Sequence, residues 1–306
     1  MSTRTLLRPL PPPVDTPPED FDVTVPAPDA WRQRAGRRAA HEWRVRGLRW
    51  PGEAADRPPV VLVHGLVVAA RMVEPLARRL AVDGPVLAPD LPGCGRSDKP
   101  RPVPDVDELG EVIARICRTA TARRPVLVGT SLGSQVALAA AVHDPGAVAG
   151  VVLASPTVDE QRRSWPSQLL RWQREQGTQG LRMRAIQVLD YRRAGIPRAM
   201  RTFAAAMRHR PEHDVRELRV PALVVWGGRD PLIRRTWARR LAGRAPDADL
   251  AVLPGAVHAM SHENPLELAR VVNGFVDALA DRPPDHHEIR QPHDRPTDTA
   301  DRSEHP

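Results

Sequence analysis

Lysine is nearly missing from this chain, with Lys99 the single example, and tyrosine is equally rare, with Tyr191 alone. The net charge of +8 is therefore carried by arginine in an Ala-, Pro- and Arg-rich sequence. Such a bias reads as a property of the whole composition, not as a surface selected for phosphates. No long basic run, recognition-helix motif or aromatic stacking platform accompanies it, so nucleic acid is not expected as a partner. A general pull on acidic partners stays open. Cysteine is scarce too: Cys94 and Cys117 stand in no CxxC or zinc-ligand spacing, which excludes a disulfide framework. Unbroken apolar runs of about 18 residues are absent, so no membrane span is expected. Arg4 and Arg8 lead into Leu10-Pro11-Pro12-Pro13 instead of an apolar stretch, which argues against a secretory signal. The expectation is a soluble, cytoplasmic protein.

Proline and charge mark the two ends. Residues 1–30 are proline-dense, and residues 281–306 mix Pro, Asp, Arg and His with little apolar content; both are expected to be disordered tails. The histidines of the second tail, His286, His287, His293 and His305, read as solvated side chains in preference to a metal site.

The 306 residues of the whole chain leave room for one large α/β domain with an elaboration, or for two ordinary domains. PVVLVHG (59–65), PVLAPD (85–90), PVLVG (125–129), VAGVVLAS (148–155), PALVVWG (221–227) and DLAVLPG (249–255) are apolar, rarely alternate and end in turn residues. Strands of that kind are buried on both faces, which predicts a mostly parallel central sheet flanked by helices. HEWRVRGLRW (41–50) reads as an edge strand or hairpin. Helical spacing follows the first run at Met72, Leu76 and Leu80, and the last at Leu268, Val272, Phe275 and Leu279. Residues 157–219 leave the strand rhythm. Trp165, Leu169 and Trp172, then Ile196, Met200, Phe203 and Met207, repeat at helical intervals, which predicts a small helical cap inserted between strands of a core made of residues 31–156 and 220–280. Packing of these residues on the core is the other reading, and the two are compatible.

Gly129-Thr130-Ser131-Leu132-Gly133 ends a predicted buried strand and opens a predicted helix. This is the G-x-S-x-G pattern of a nucleophile elbow. The bend strains the serine, and the glycines remove the Cβ atoms that would clash where strand and helix crowd. Ser131 Oγ would face substrate, with the Leu132 amide at a helix N-terminus aimed at a developing oxyanion. A serine needs a base and the base an orienting acid. Asp230, in WGGRDPL, and His258, in PGAVHAMSHENP, lie just beyond predicted strands, at the carboxyl ends where such groups converge. Asp230 also reads as a cap for a helix starting at Pro231, Asp159 is a fallback acid, and His262 competes as base. His143 is expected near the end of the helix after Ser131. His209 and His213 are spaced i, i+4, but Pro211 between them argues against a shared metal face.

With these segments, VVLVHGLVVAARM (60–72) and DLPGCGRSDKP (90–100), the chain resembles the capped Ser-Asp-His members of the α/β-hydrolase superfamily over residues 41–280. The order Ser131, Asp230, His258 is the one that fold requires, and the spacing from His258 to Glu263 and Pro265 matches the family's base. The resemblance implies an oxyanion amide from Leu66, or from Val67 if the loop is registered one residue later. It makes His64 a structural support and Cys94 a filler or pocket wall. It implies no metal and no organic cofactor, and a small-molecule substrate; the apolar residues of the cap point to a hydrophobic acyl group or ring in it. Ester hydrolysis through an acyl-enzyme is the default. Cleavage of C–C bonds in vinylogous diketones, lactone or amide hydrolysis, acyl transfer, and a non-catalytic binding module share the same residues. Cap arginines such as Arg162, Arg163, Arg192 and Arg193 either hold a carboxylate or face solvent, and the arginine bias favours solvent.

Overall fold

A computed structural model describes residues 11–52 and 57–281. The strands are β1 (Glu19–Pro26), β2 (Glu42–Trp50), β3 (Val60–Val63), β4 (Val86–Pro89), β5 (Val126–Thr130), β6 (Gly150–Ala154), β7 (Ala222–Gly227) and β8 (Ala248–Leu253). They form one sheet in the order β1-β2-β4-β3-β5-β6-β7-β8. β2 runs antiparallel to β1 and β4, and the strands from β4 through β8 are parallel. All six apolar runs of the sequence lie on parallel strands; the five from β3 to β7 are covered on both faces, whereas β8, at the sheet edge, is only partly buried and exposes Asp249. Leu127, Val151 and Val224 pack on one side, and Val126, Val128, Val152 and Leu223 on the other.

The helices are α1 (Asp29–Ala35), α2 (Glu74–Leu80), α3 (Val106–Ala120), α4 (Leu132–His143), α5 (Trp165–Gln176), α6 (Leu181–Ala194), α7 (Ile196–Arg208), α8 (Pro211–Asp214), α9 (Arg235–Arg244), α10 (Met260–Glu263) and α11 (Pro265–Ala280). Side chains of α3, α4 and α9 share the first core, and those of α2 and α11 the second. α3 starts where it does because Asp105 accepts from the Glu108 amide and Glu108 accepts in return from the Asp105 amide, 2.9 Å each. α4 is buried on nearly every side, wedged between the sheet and α3, and so lacks an amphipathic stripe.

Two observations correct or bound the expected tails. Strand β1 lies inside the stretch 1–30 expected to be disordered, paired with β2 along its whole length. Phe21, Val23 and Val25 alternate with Asp22 and Thr24, the period-two pattern of a half-buried strand, and the surrounding prolines mask it. Residues 1–10 and 282–306 lie outside the described residues, as do the four tail histidines.

Between β6 and β7 the chain runs through α5, α6, α7 and α8. This insertion is pinned to the rest of the molecule by ion pairs from Arg71 to Asp190 and by Arg198, which donates to the carbonyls of Lys99 and Pro100 at 3.1 and 3.0 Å. The Gly180 amide donates to Glu263 at 3.0 Å. Among the described residues no helix is long and apolar enough to cross a membrane.

Candidate active site

Ser131 sits at the junction of β5 and α4 with φ 57° and ψ −120°, a left-handed conformation that L-residues adopt at a cost of about 1–3 kcal/mol. The flanking glycines make the bend possible. A Cβ on Gly129 would stand 2.2 Å from the Gly133 carbonyl oxygen, and one on Gly133 would stand 2.1 Å from the Val63 oxygen. Ser134 locks the turn from below, its buried hydroxyl lying 2.8 and 2.9 Å from the Gly129 and Ala154 carbonyls.

Ser131 Oγ lies 2.9 Å from His258 Nε2, and His258 Nδ1 lies 2.8 Å from Asp230 Oδ2. The structure thus brings the three sequence-chosen side chains into one hydrogen-bonded row, from loops after β5, β7 and β8. The other oxygen of Asp230 accepts from the amides of Leu232 and Ile233 at 2.8 and 3.2 Å. No helix starts at Pro231, so the capping reading is corrected: the amides that Asp230 holds belong to a turn ahead of α9, which begins at Arg235. Those two bonds fix the carboxylate so that Oδ2 faces the imidazole. Burial pulls the His258 imidazolium down, and the Asp230 carboxylate beside it, helped by Glu175, more than offsets that, so the imidazole titrates above its ordinary value.

Leu132 opens α4, and Leu66 follows β3; both border the same cavity as Ser131 and His258. Val67, the alternative to Leu66, is buried beside the cavity wall and is held at φ 55°, an outlier for a β-branched residue. The loop passes close to the serine: a Cβ on Gly65 would be 3.5 Å from Ser131 Cβ. His64 supports this loop. Its Nδ1 donates to the Gly65 oxygen and its Nε2 accepts from the Leu91 amide, both at 2.9 Å, and burial holds it below its ordinary value, hence neutral. Asp90 adds a second brace by accepting from the amides of Ala70 and Arg96 at 2.7 and 2.9 Å.

The competing residues are engaged elsewhere. Asp159 is buried and paired with Arg234 at 2.7 Å, and His262 Nδ1 donates to the Met72 carbonyl at 3.2 Å. His143 ends α4. Cys94 is buried, its thiol pushed up to about 12 by burial. His209 Nε2 lies 2.7 Å from Asp214 and 3.7 Å from Asp107, a grouping with a geometry open to a cation and without His213. Arg163 pairs with Glu212 at 2.6 Å, and Arg162, Arg192 and Arg193 are exposed.

Above the row lies a cavity of about 550 Å³, roofed by α5, α6 and α7 with Trp165, Leu169, Met183, Tyr191 and Phe203 among its walls. That volume suits a small organic ligand. One polar residue in this roof escaped sequence reasoning. Glu175 of α5 is 2 % exposed and lines the cavity. Gln179 and Thr178 donate to it at 3.2 and 3.1 Å, and burial raises its carboxyl above the ordinary range despite the opposing pull of His258. Nothing in its local sequence, QREQ, marks a glutamate for burial.

Comparison with known proteins agrees with the geometry. The profile of the alpha/beta hydrolase family matches residues 60–271. The dihydrolipoyllysine-residue acetyltransferase component of the acetoin cleaving system of Pseudomonas putida is 31 % identical over 238 residues, covering 71 % of this chain and 63 % of that protein. The pimeloyl-[acyl-carrier protein] methyl ester esterase of Pectobacterium atrosepticum is 28 % identical over 257 residues, covering 76 % of this chain and 99 % of that one. The solved structure of a malate-bound thermophilic esterase from Thermogutta terrifontis superimposes with a TM-score of 0.64 at 20 % identity, over 78 % of this chain and 95 % of the other. From the family profile and the shared fold it follows that this chain belongs to the alpha/beta hydrolase family and is an enzyme with hydrolase activity.

Proposed function

We propose that the enzyme hydrolyses carboxylic esters with an apolar acyl group, through an acyl-enzyme on Ser131. The observation that carries this reading is the Ser131–His258–Asp230 row opening into a cavity walled mainly by apolar side chains. Substrate enters under α5 and α7, which act as a cap, with its carbonyl carbon beside Ser131 Oγ. His258 Nε2 takes the hydroxyl proton as Oγ bonds to that carbon. The imidazolium is stabilised by Asp230, and the oxyanion by the Leu132 and Leu66 amides. Collapse expels the alkoxide, which leaves as alcohol with the proton from His258. Water then attacks the acyl carbon, gives its proton to Nε2, and the acid departs as Oγ recovers that proton. The general base supplies about 10²–10⁴-fold, and an oxyanion donor about 10²–10³-fold.

A kcat/KM series on nitrophenyl esters of increasing acyl length, run beside vinylogous diketones, tests the reading. Turnover is expected on esters, rising with acyl length until the cavity is filled, and lost by about 10⁴–10⁶-fold in Ser131→Ala. Diketone cleavage without ester turnover would replace it with C–C hydrolysis, and a relative named as an acetyltransferase component is reason to include thiol and alcohol acceptors in the same assay.

A further inference from the structure

Helices α5 to α7 show solvent only one sign of charge. From Trp165 to Arg208 the sequence holds nine arginines against Glu175 and Asp190. Both acids are withdrawn, at 2 % and 3 % exposure, and Asp190 is already paired with Arg71. Arg174, Arg182, Arg192, Arg193 and Arg201 are exposed, and none makes an ion pair among the described residues. The rest of the chain holds basic and acidic residues in near balance, so a chain-wide arginine bias does not account for this stretch.

The same surface is apolar where a protein facing only water would be polar. Leu181 and Ile196 are 85 % and 75 % exposed, and Leu170, Val188 and Leu189 are exposed as well. Along α6, Leu181, Arg184, Val188 and Arg192 recur every three to four residues as one exposed stripe. At the cavity mouth Trp165, Leu169, Trp172 and Met200 are exposed and also line the cavity that holds Ser131. The apolar wall of the site thus continues onto the outer surface. Large exposed apolar patches mark interaction sites, and helices carrying Trp and Leu together with arginine, without exposed acids, fit the plane of an anionic lipid surface.

We propose that the outer face of α5, α6 and α7 docks on an anionic phospholipid bilayer. Leu181, Val188 and Ile196 enter the headgroup–acyl boundary, Arg182, Arg184, Arg192 and Arg193 meet lipid phosphates, and the cavity mouth is held against the membrane. Charge decides between occupants: a second copy using this face would set arginine against arginine, whereas phosphate headgroups neutralise it and acyl chains cover the leucines. The proposal concerns where the enzyme sits and does not rest on the ester reading.

The test is co-sedimentation of the full chain with vesicles of phosphatidylcholine alone and of phosphatidylcholine mixed with phosphatidylglycerol. Binding is expected to the anionic vesicles, with high salt weakening it and neutral vesicles recruiting little. The double variant Arg192→Glu/Arg193→Glu should bind at least about tenfold more weakly. Leu181→Asp/Ile196→Asp should also lose binding while keeping wild-type Tm and kcat/KM on a water-soluble short-chain ester. No binding to anionic vesicles at low salt would overturn the proposal, as would equal binding to neutral ones or wild-type binding by both double variants. A dimer in sedimentation velocity that Leu181→Asp/Ile196→Asp dissolves would also overturn it, assigning the face to a second copy.

Discussion

Asp230→Asn separates geometry from charge at the site more sharply than any other substitution. In the native row Oδ1 receives two amide protons, from Leu232 at 2.8 Å and Ile233 at 3.2 Å, while Oδ2 receives the Nδ1 proton of His258 at 2.8 Å. An asparagine has one acceptor oxygen and one NH2 to divide between these neighbours. If the oxygen faced the imidazole, the NH2 would point at two amide donors at hydrogen-bond distance, leaving three N–H groups in collision. The side chain therefore keeps its oxygen on the amides and turns the NH2 toward Nδ1. That nitrogen must then accept, so the proton moves to Nε2 and points at Ser131 Oγ, where it cannot remove the hydroxyl proton. The expected loss is about 10⁴-fold in kcat, equivalent to about 5.5 kcal/mol of transition-state stabilisation. Because both turn amides keep an acceptor, folding stability should fall by only about 1 kcal/mol, or about 2–4 °C in Tm. Asp230→Ala, by contrast, strands two buried amides at about 1–3 kcal/mol each. The paired readings are initial rates on nitrophenyl butyrate and thermal unfolding by circular dichroism. An Asp230→Asn enzyme with rates within about tenfold of wild type would refute the tautomer argument.

The raised pKa of His258 means that its protonated, inactive form persists to higher pH. Activity is lost as pH falls through that value, so the acid limb of kcat/KM should lie above the ordinary 6.5 of an imidazole, and Glu175→Gln should move it down by removing a carboxylate that favours the cation; a pH–rate profile with no movement would exclude that coupling. Gly133→Ala would place a Cβ 2.1 Å from the Val63 oxygen and 2.6 Å from that of His64, and thermal melts should show a loss of more than about 3 kcal/mol. Gly243→Ala, with nothing within 4 Å of its Cβ position in α9, should instead leave stability equal or up to about 1 kcal/mol higher. Val25→Asp puts a charge at a fully buried position of β1, and urea unfolding should show a loss of at least about 3 kcal/mol, whereas no change would return residues 19–26 to a tail.

The sheet was readable where burial leaves the plainest trace. Parallel strands covered on both sides must be apolar at nearly every position, and runs such as PVLVG and PALVVWG carry that signature without reference to their neighbours. β1 has one covered face and sits among prolines, so its only trace is a short alternation at Phe21, Val23 and Val25. The row's members were readable because each stands in a short motif just past a strand. Glu175 was not, since its burial depends on how α5 lies over the cavity, a tertiary placement with no local sign. Val67 was equally silent: GLVVAA carries no glycine at the position whose φ is 55°, because surrounding packing, not residue type, holds the backbone there. Trp165, Leu169 and Trp172 show a related limit. Their helical spacing is correct, but spacing alone does not distinguish a stripe turned to a core from one that lines a cavity and reaches solvent.

Intact mass spectrometry after treatment with a fluorophosphonate interrogates Ser131 directly, since phosphonylation needs a serine whose proton His258 can take. One adduct per chain is expected, mapped to Ser131 by peptide sequencing, absent from Ser131→Ala and slowed by orders of magnitude in His258→Ala. A folded wild-type protein that stays unlabelled, or one labelled equally after Ser131→Ala, would contradict the assignment of this serine as the nucleophile.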